Sequence, residues 1–129
     1  MSRLIILFTI LALTGCATTR VPGDSRSRLV GTWLMIEGDV EFPTACASGL
    51  PIIYHADGTL TLFGERGTWR LDRDILTETI TEAGEHSEFE RSEIGRPHVA
   101  RIAWRGRDRF RKLYADGAVE SFRRCPPAE

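Results

Sequence analysis

From residue 29 onward, apolar and polar positions alternate with a period of two over short runs, the period of a β-strand with one face buried. Residues 29–37 place Leu29, Gly31, Trp33 and Met35 on one side and Val30, Thr32, Leu34 and Ile36 on the other. Both sides carry apolar groups, so the pattern predicts a long strand covered on both faces for part of its length. Residues 52–55, 59–63, 68–71, 75–81, 99–104, 109–114 and 119–124 read as further strands. Turn chemistry separates them: Asp57-Gly58, the segment 64–67, Asp72-Arg73-Asp74, Gly106 and Asp116-Gly117. Residues 38–49 are irregular, with Pro43 and Cys46, and Pro51 limits the ladder at the next strand. The stretch 82–97 is charged and broken by Gly84 and Gly95, with one candidate strand at 87–91. No segment repeats its apolar residues at helical spacing over three turns.

About seven to nine short antiparallel strands joined by successive hairpins predict an all-β fold, a small up-and-down β-barrel, because closure removes the exposed edges of an open sheet. A β-sandwich is the alternative; the hairpin-by-hairpin order favours the barrel.

The first residues have a different character. Met1-Ser2-Arg3 begins with positive charge, residues 4–13 are almost wholly apolar, and Thr14-Gly15-Cys16-Ala17 presents small residues to a peptidase, the plan of an export signal. As a helix the apolar run spans only ~15 Å, half of a ~30 Å hydrocarbon core, which argues for a removed signal over a permanent span. Leu13-Thr14-Gly15-Cys16 resembles the lipobox of bacterial lipoproteins. The resemblance implies cleavage before Cys16, diacylation of its thiol and acylation of the new amino terminus; cleavage after Ala17 by an ordinary signal peptidase is the alternative. Several acyl chains on one cysteine make a durable anchor. Ala17 and Thr18 stand where an aspartate would imply inner-membrane retention, so an outer-membrane anchor facing the periplasm is expected.

The expected organisation is a signal peptide at 1–15, a flexible tether rich in Gly, Pro and Ser at 16–28, one barrel domain at 29–125 and a tail at 126–129. With lipid on Cys16, Cys46 and Cys125 remain as a pair in an oxidising compartment, and a disulfide between them is the economical expectation. Closing a loop of about 80 residues is worth on the order of 4 kcal/mol by chain entropy. Two free thiols or a thiol pair awaiting a metal are the alternatives. A formal net charge of −1, with basic residues balanced by acidic ones, gives no nucleic-acid signature.

The domain opens on Leu29-Val30-Gly31-Thr32-Trp33, which resembles the Gly-x-Trp start of lipocalins and small lipocalin-like domains, and Gly67-Thr68-Trp69 repeats the tripeptide. The resemblance implies a calycin-type barrel in which Trp33 closes one end against a basic residue of the last strand, Arg123 or Arg124. An indole stacked under a guanidinium is worth on the order of 1 kcal/mol when desolvated.

Candidate chemistry is sparse. His55, His86 and His98 lie on separate segments without metal-ligand spacing; Glu85, His86 and Glu88 are more economically a solvated loop, and His55 a strand-end side chain bonded to backbone. Arg105, Arg107, Arg109 and Arg111 share a parity and form an outward basic stripe, unless they turn inward to meet Glu78 and Glu82 and line a pocket for an anionic or amphipathic ligand. Asp72 and Asp74 belong to a turn. No nucleophile, phosphate-loop or metal motif is present, so neither catalysis nor a cofactor is expected. The functional expectation is a lipid-anchored, periplasm-facing lipoprotein, not an enzyme, whose barrel binds a small apolar or amphipathic ligand. The alternative is an envelope interaction or inhibitor lipoprotein with a filled barrel core.

Overall fold

The computed structural model describes residues 24–36, 46, 51–84 and 91–127. The expected signal peptide, Cys16, most of the tether, His86 and nearly all of the candidate strand 87–91 lie outside the described residues; Arg91 itself belongs to a 3₁₀ turn, Arg91–Glu93.

Among the described residues eight strands form: β1 (Gly31–Ile36), β2 (Ile52–Tyr54), β3 (Thr59–Leu62), β4 (Glu65–Asp72), β5 (Ile75–Glu82), β6 (Pro97–Trp104), β7 (Arg109–Leu113) and β8 (Val119–Arg124). Each pairs antiparallel with its neighbour in sequence, and β8 returns to pair with β1, with Trp33 opposite Arg124 and Met35 opposite Phe122. The fold is a closed up-and-down antiparallel barrel, as the hairpin order predicts, and not a sandwich. Alternation does the sorting: along β4 the side chains run buried, exposed, buried from Glu65 to Trp69, and β5 answers with buried Leu76, Glu78 and Ile80.

Most strand ends fall within two residues of the sequence expectation, and two differences are larger. Strand β4 begins at Glu65, inside the segment 64–67 read as a turn, because Phe63 and Gly64 alone reverse the chain, both with positive φ (49° and 91°). At Gly67 the β4–β5 register shifts, and an added Cβ would sit 2.2 Å from the Thr79 carbonyl oxygen. Only glycine admits that approach. The second difference is a short helix, α1 (Ser25–Leu29), at the end of the stretch read as tether. The Asp24 side chain accepts from the Arg26 amide at 3.1 Å, capping the helix start.

Helix α1 lies across one end of the barrel, where Leu29 is wholly buried and its carbonyl accepts from the Trp33 indole at 2.8 Å. The chain has three tryptophans, and each meets an arginine at this end. Arg124 stacks over Trp33 at 4.3 Å from the ring centroid, Arg26 over Trp69 at 4.8 Å and Arg28 over Trp104 at 4.1 Å. The guanidiniums also satisfy carbonyls: Arg124 donates to Val30 and Arg28, Arg26 to Ala56, and Arg28 to Gly106. Trp33, Phe110 and Phe122 pack behind this closure, with Phe110 edge-on to Trp33 at 4.7 Å and stacked on Phe122 at 4.9 Å. This half of the barrel is filled by side chains, as expected for eight strands.

Candidate functional site: a cavity at the barrel mouth

The filled half ends at the waist of the barrel, where two charged groups are buried together. Lys112 on β7 and Glu78 on β5 face inward, 2% and 5% exposed, because each alternates in phase with apolar core residues of its strand. The Lys112 ammonium donates to both Glu78 oxygens, at 2.9 and 2.8 Å. Tyr54 of β2 donates its hydroxyl to the same carboxylate at 2.5 Å, within the range of a charge-assisted bond. Burial first, and then the Glu78 charge, hold the Tyr54 hydroxyl well above the usual tyrosine pKa. Three donor contacts on one carboxylate compensate a charge that would otherwise be costly to bury.

Above this layer the barrel opens into a cavity of about 130 Å³. Its walls are apolar: Met35, Ile52, Leu62, Ile80 and Phe122, with Phe63 at the rim. Phe63 is 40% exposed and holds a left-handed backbone, an uncommon combination for a bulky side chain. Lys112 and Glu78 form the floor. Three further polar residues converge from the mouth side: His98 of β6, Glu120 of β8, and Tyr114 just past β7. The Tyr114 hydroxyl donates to Glu120 Oε2 at 2.7 Å, and burial followed by this bond raises its pKa. The His98 ring stands 3.7 Å from the Glu93 carboxylate. A second, shallower depression on the outer face, along Ile75, Val99, Arg101 and Leu113, has Arg101 as its one charged lining residue among the described residues.

The residues singled out from sequence are distributed over this frame. Gly31 and Trp33 meet Arg124 at the closed end; Arg123, of opposite parity, is exposed on the outer face. Gly31 has φ +138°, and a Cβ there would lie 2.6 Å from an Arg124 guanidinium nitrogen, so glycine makes room for the stacked arginine. Cys46 is bonded to Cys125, with Cα atoms 5.7 Å apart at a sequence separation of 79. Arg105, Arg107, Arg109 and Arg111 are all exposed. Glu78 does face inward as one of the two carboxylates considered, but its cation is Lys112 and not an arginine, while Glu82 is exposed. The His55 ring is hydrogen-bonded to the Thr61 hydroxyl at 3.3 Å. Among the described residues no three metal-ligating side chains gather.

Sequence reasoning passed over Lys112, Tyr54, Tyr114 and Glu120, and also Arg26 and Arg28. One signal was available: Lys112 is the sole lysine in a chain with sixteen arginines. It sits in phase with Phe110 on a strand whose other parity is Arg109 and Arg111.

Comparison of the chain with protein-family models, with curated proteins and with solved structures gives no match.

Proposed function

We propose that this chain is a lipid-anchored, periplasm-facing lipoprotein whose barrel holds a small apolar or amphipathic molecule at its mouth without transforming it. The observation that carries the binding half of this reading is the 130 Å³ cavity with apolar walls over a polar floor. Small-molecule sites have this composition: apolar lining with a few placed polar groups. A cavity of about 150 Å³ accommodates benzene, whereas drug-sized ligands need about 300 Å³ or more, so the occupant is a small molecule or the end of a larger one. Glu78 is engaged by Lys112 and Tyr54, which suits the floor to holding a ligand more than to proton transfer. The anchoring half rests on Leu13-Thr14-Gly15-Cys16 and on the pairing of the two remaining cysteines.

Native mass spectrometry combined with displacement of a small apolar dye tests the binding half. One ligand per chain is expected, lost when Leu62→Trp fills the mouth; a chain that never displaces dye sinks it. For the anchor, Cys16→Ser should abolish metabolic palmitate labelling and move the protein out of the membrane fraction. Unchanged labelling would refute it.

A second reading, an envelope interaction or inhibitor protein working through its loops, draws support from the filled lower half of the barrel. Pull-down from solubilised envelope would then recover a protein partner dependent on segments 38–49 or 82–97, with no effect of Leu62→Trp.

A further inference from the structure

The charges around the cavity select among amphipathic ligands. Among the described residues, its lining carries two carboxylates, Glu78 and Glu120, against one ammonium, Lys112. His98 adds positive charge only when protonated, and Glu93 stands 3.7 Å from its ring to match it. The described lining side chains therefore sum to one net negative charge.

The two carboxylates are not equivalent. Glu78 is taken up by Lys112 and Tyr54. An anionic ligand would compete with Glu78 for Lys112, which already directs two of its three N–H donors to that carboxylate, and any shift of the ammonium toward the ligand weakens the compensation of the buried Glu78 charge. Glu120 is partly buried at the mouth side, directly opposite Lys112 in the β7–β8 register, and its Oε2 accepts from Tyr114. A carboxylate offers about four acceptor positions, and among the described residues the Tyr114 hydroxyl takes one of them. A charged donor entering from solvent can bond to Glu120 while the Lys112–Glu78–Tyr54 layer stays intact. The low-dielectric walls of Ile52, Leu62, Ile80 and Phe122 strengthen that attraction and cover a hydrocarbon body.

We infer that the mouth cavity is a site for a small organic ammonium, an amine with an apolar body of about six to eight heavy atoms, whose charged nitrogen bonds to Glu120. This rests on the reading of the cavity as a binding site and adds the class of ligand.

Three probes of about seven to eight heavy atoms separate the two claims: cyclohexylammonium, cyclohexanol and cyclopentanecarboxylate, titrated into the purified full chain at neutral pH and followed by NMR shifts of Leu62 and Ile80 methyl groups. The ammonium is expected to bind about tenfold or more tighter than the alcohol, with the carboxylate weakest. Glu120→Gln should collapse the ammonium-to-alcohol preference toward unity. An alcohol that binds as tightly as the ammonium, a carboxylate that binds best, or a preference that survives Glu120→Gln overturns the inference and leaves the binding site standing. If none of the three binds, the cavity reading itself fails. The wild-type series decides the charge preference even if the variant does not fold.

Discussion

Lys112 shows how one residue governs a layer of the barrel. Buried in the 2% exposed class beside Glu78, it is stable there only because the carboxylate is there, and the converse holds. Removing either partner alone, by Lys112→Met or Glu78→Leu, should lower unfolding free energy by about 3–5 kcal/mol, since an uncompensated charged group is left in the core. The double change Lys112→Met with Glu78→Leu should be far less destabilising than the sum. Urea denaturation of the four chains checks this, and additive losses would show that the pair is not coupled. Tyr54 makes a pH prediction at the same scale. Its folded-state pKa is raised, so the folded protein keeps a proton that the unfolded chain releases near the usual tyrosine value. Its contribution is full below about pH 10 and is lost as pH rises from there toward the folded value, at about 1.4 kcal/mol per pH unit. Alkaline unfolding followed by tyrosinate absorbance should show Tyr54 titrating only as the barrel opens, and Tyr54→Phe should flatten that slope.

At the scale of elements, α1 converts residues of low sequence interest into a seal. Its arginines stack on Trp69 and Trp104 while Leu29 closes the core behind Trp33. Partly exposed cation–π pairs contribute about 0.5–1 kcal/mol each. The double variant Arg26→Ala, Arg28→Ala should therefore lower thermal stability by about 1–2 kcal/mol, with increased solvent quenching of tryptophan fluorescence. Unchanged fluorescence and stability would demote the helix to a passenger. Nothing in the period-two pattern points to α1, because a single helical turn is too short to establish a 3.6-residue repeat. Strand β4, in contrast, follows its pattern for eight residues and is misread only at its ends: Asp72, assigned to a turn, is its last residue, and Glu65 at its start is a buried charge that polarity reasoning assigns to a loop.

For the whole molecule, closure and crosslinking divide the work. The β1–β8 pairing leaves no edge along the barrel, and the Cys46–Cys125 bond ties the end of β8 to the segment between β1 and β2. A loop of that length constrains the unfolded chain by about 4 kcal/mol. Dithiothreitol, or Cys46→Ser with Cys125→Ser, should lower the urea midpoint accordingly while leaving the far-ultraviolet spectrum of the native barrel in place. A midpoint indifferent to reduction would mean that the bond adds nothing to folding.

The order of hairpins was legible because strand periodicity, Asp-Gly turns and short connections are local properties that neighbouring residues express without reference to the rest of the chain. Gly31 and Trp33 were legible for the same reason, as a compact signature. What the sequence by itself determined was therefore an all-β meander and the alternation of faces along its strands. Which inward residues touch was decided only by closure. The register across β5, β6 and β7 brings Glu78 to Lys112, 34 residues apart, and β2 delivers Tyr54 to the same carboxylate. Arg124 rather than Arg123 reaches Trp33 because parity on β8 turns one inward and the other out. The cavity is likewise a property of closure: it is the volume left above the ion pair once eight strands set the diameter, and no stretch of sequence encodes an unfilled space.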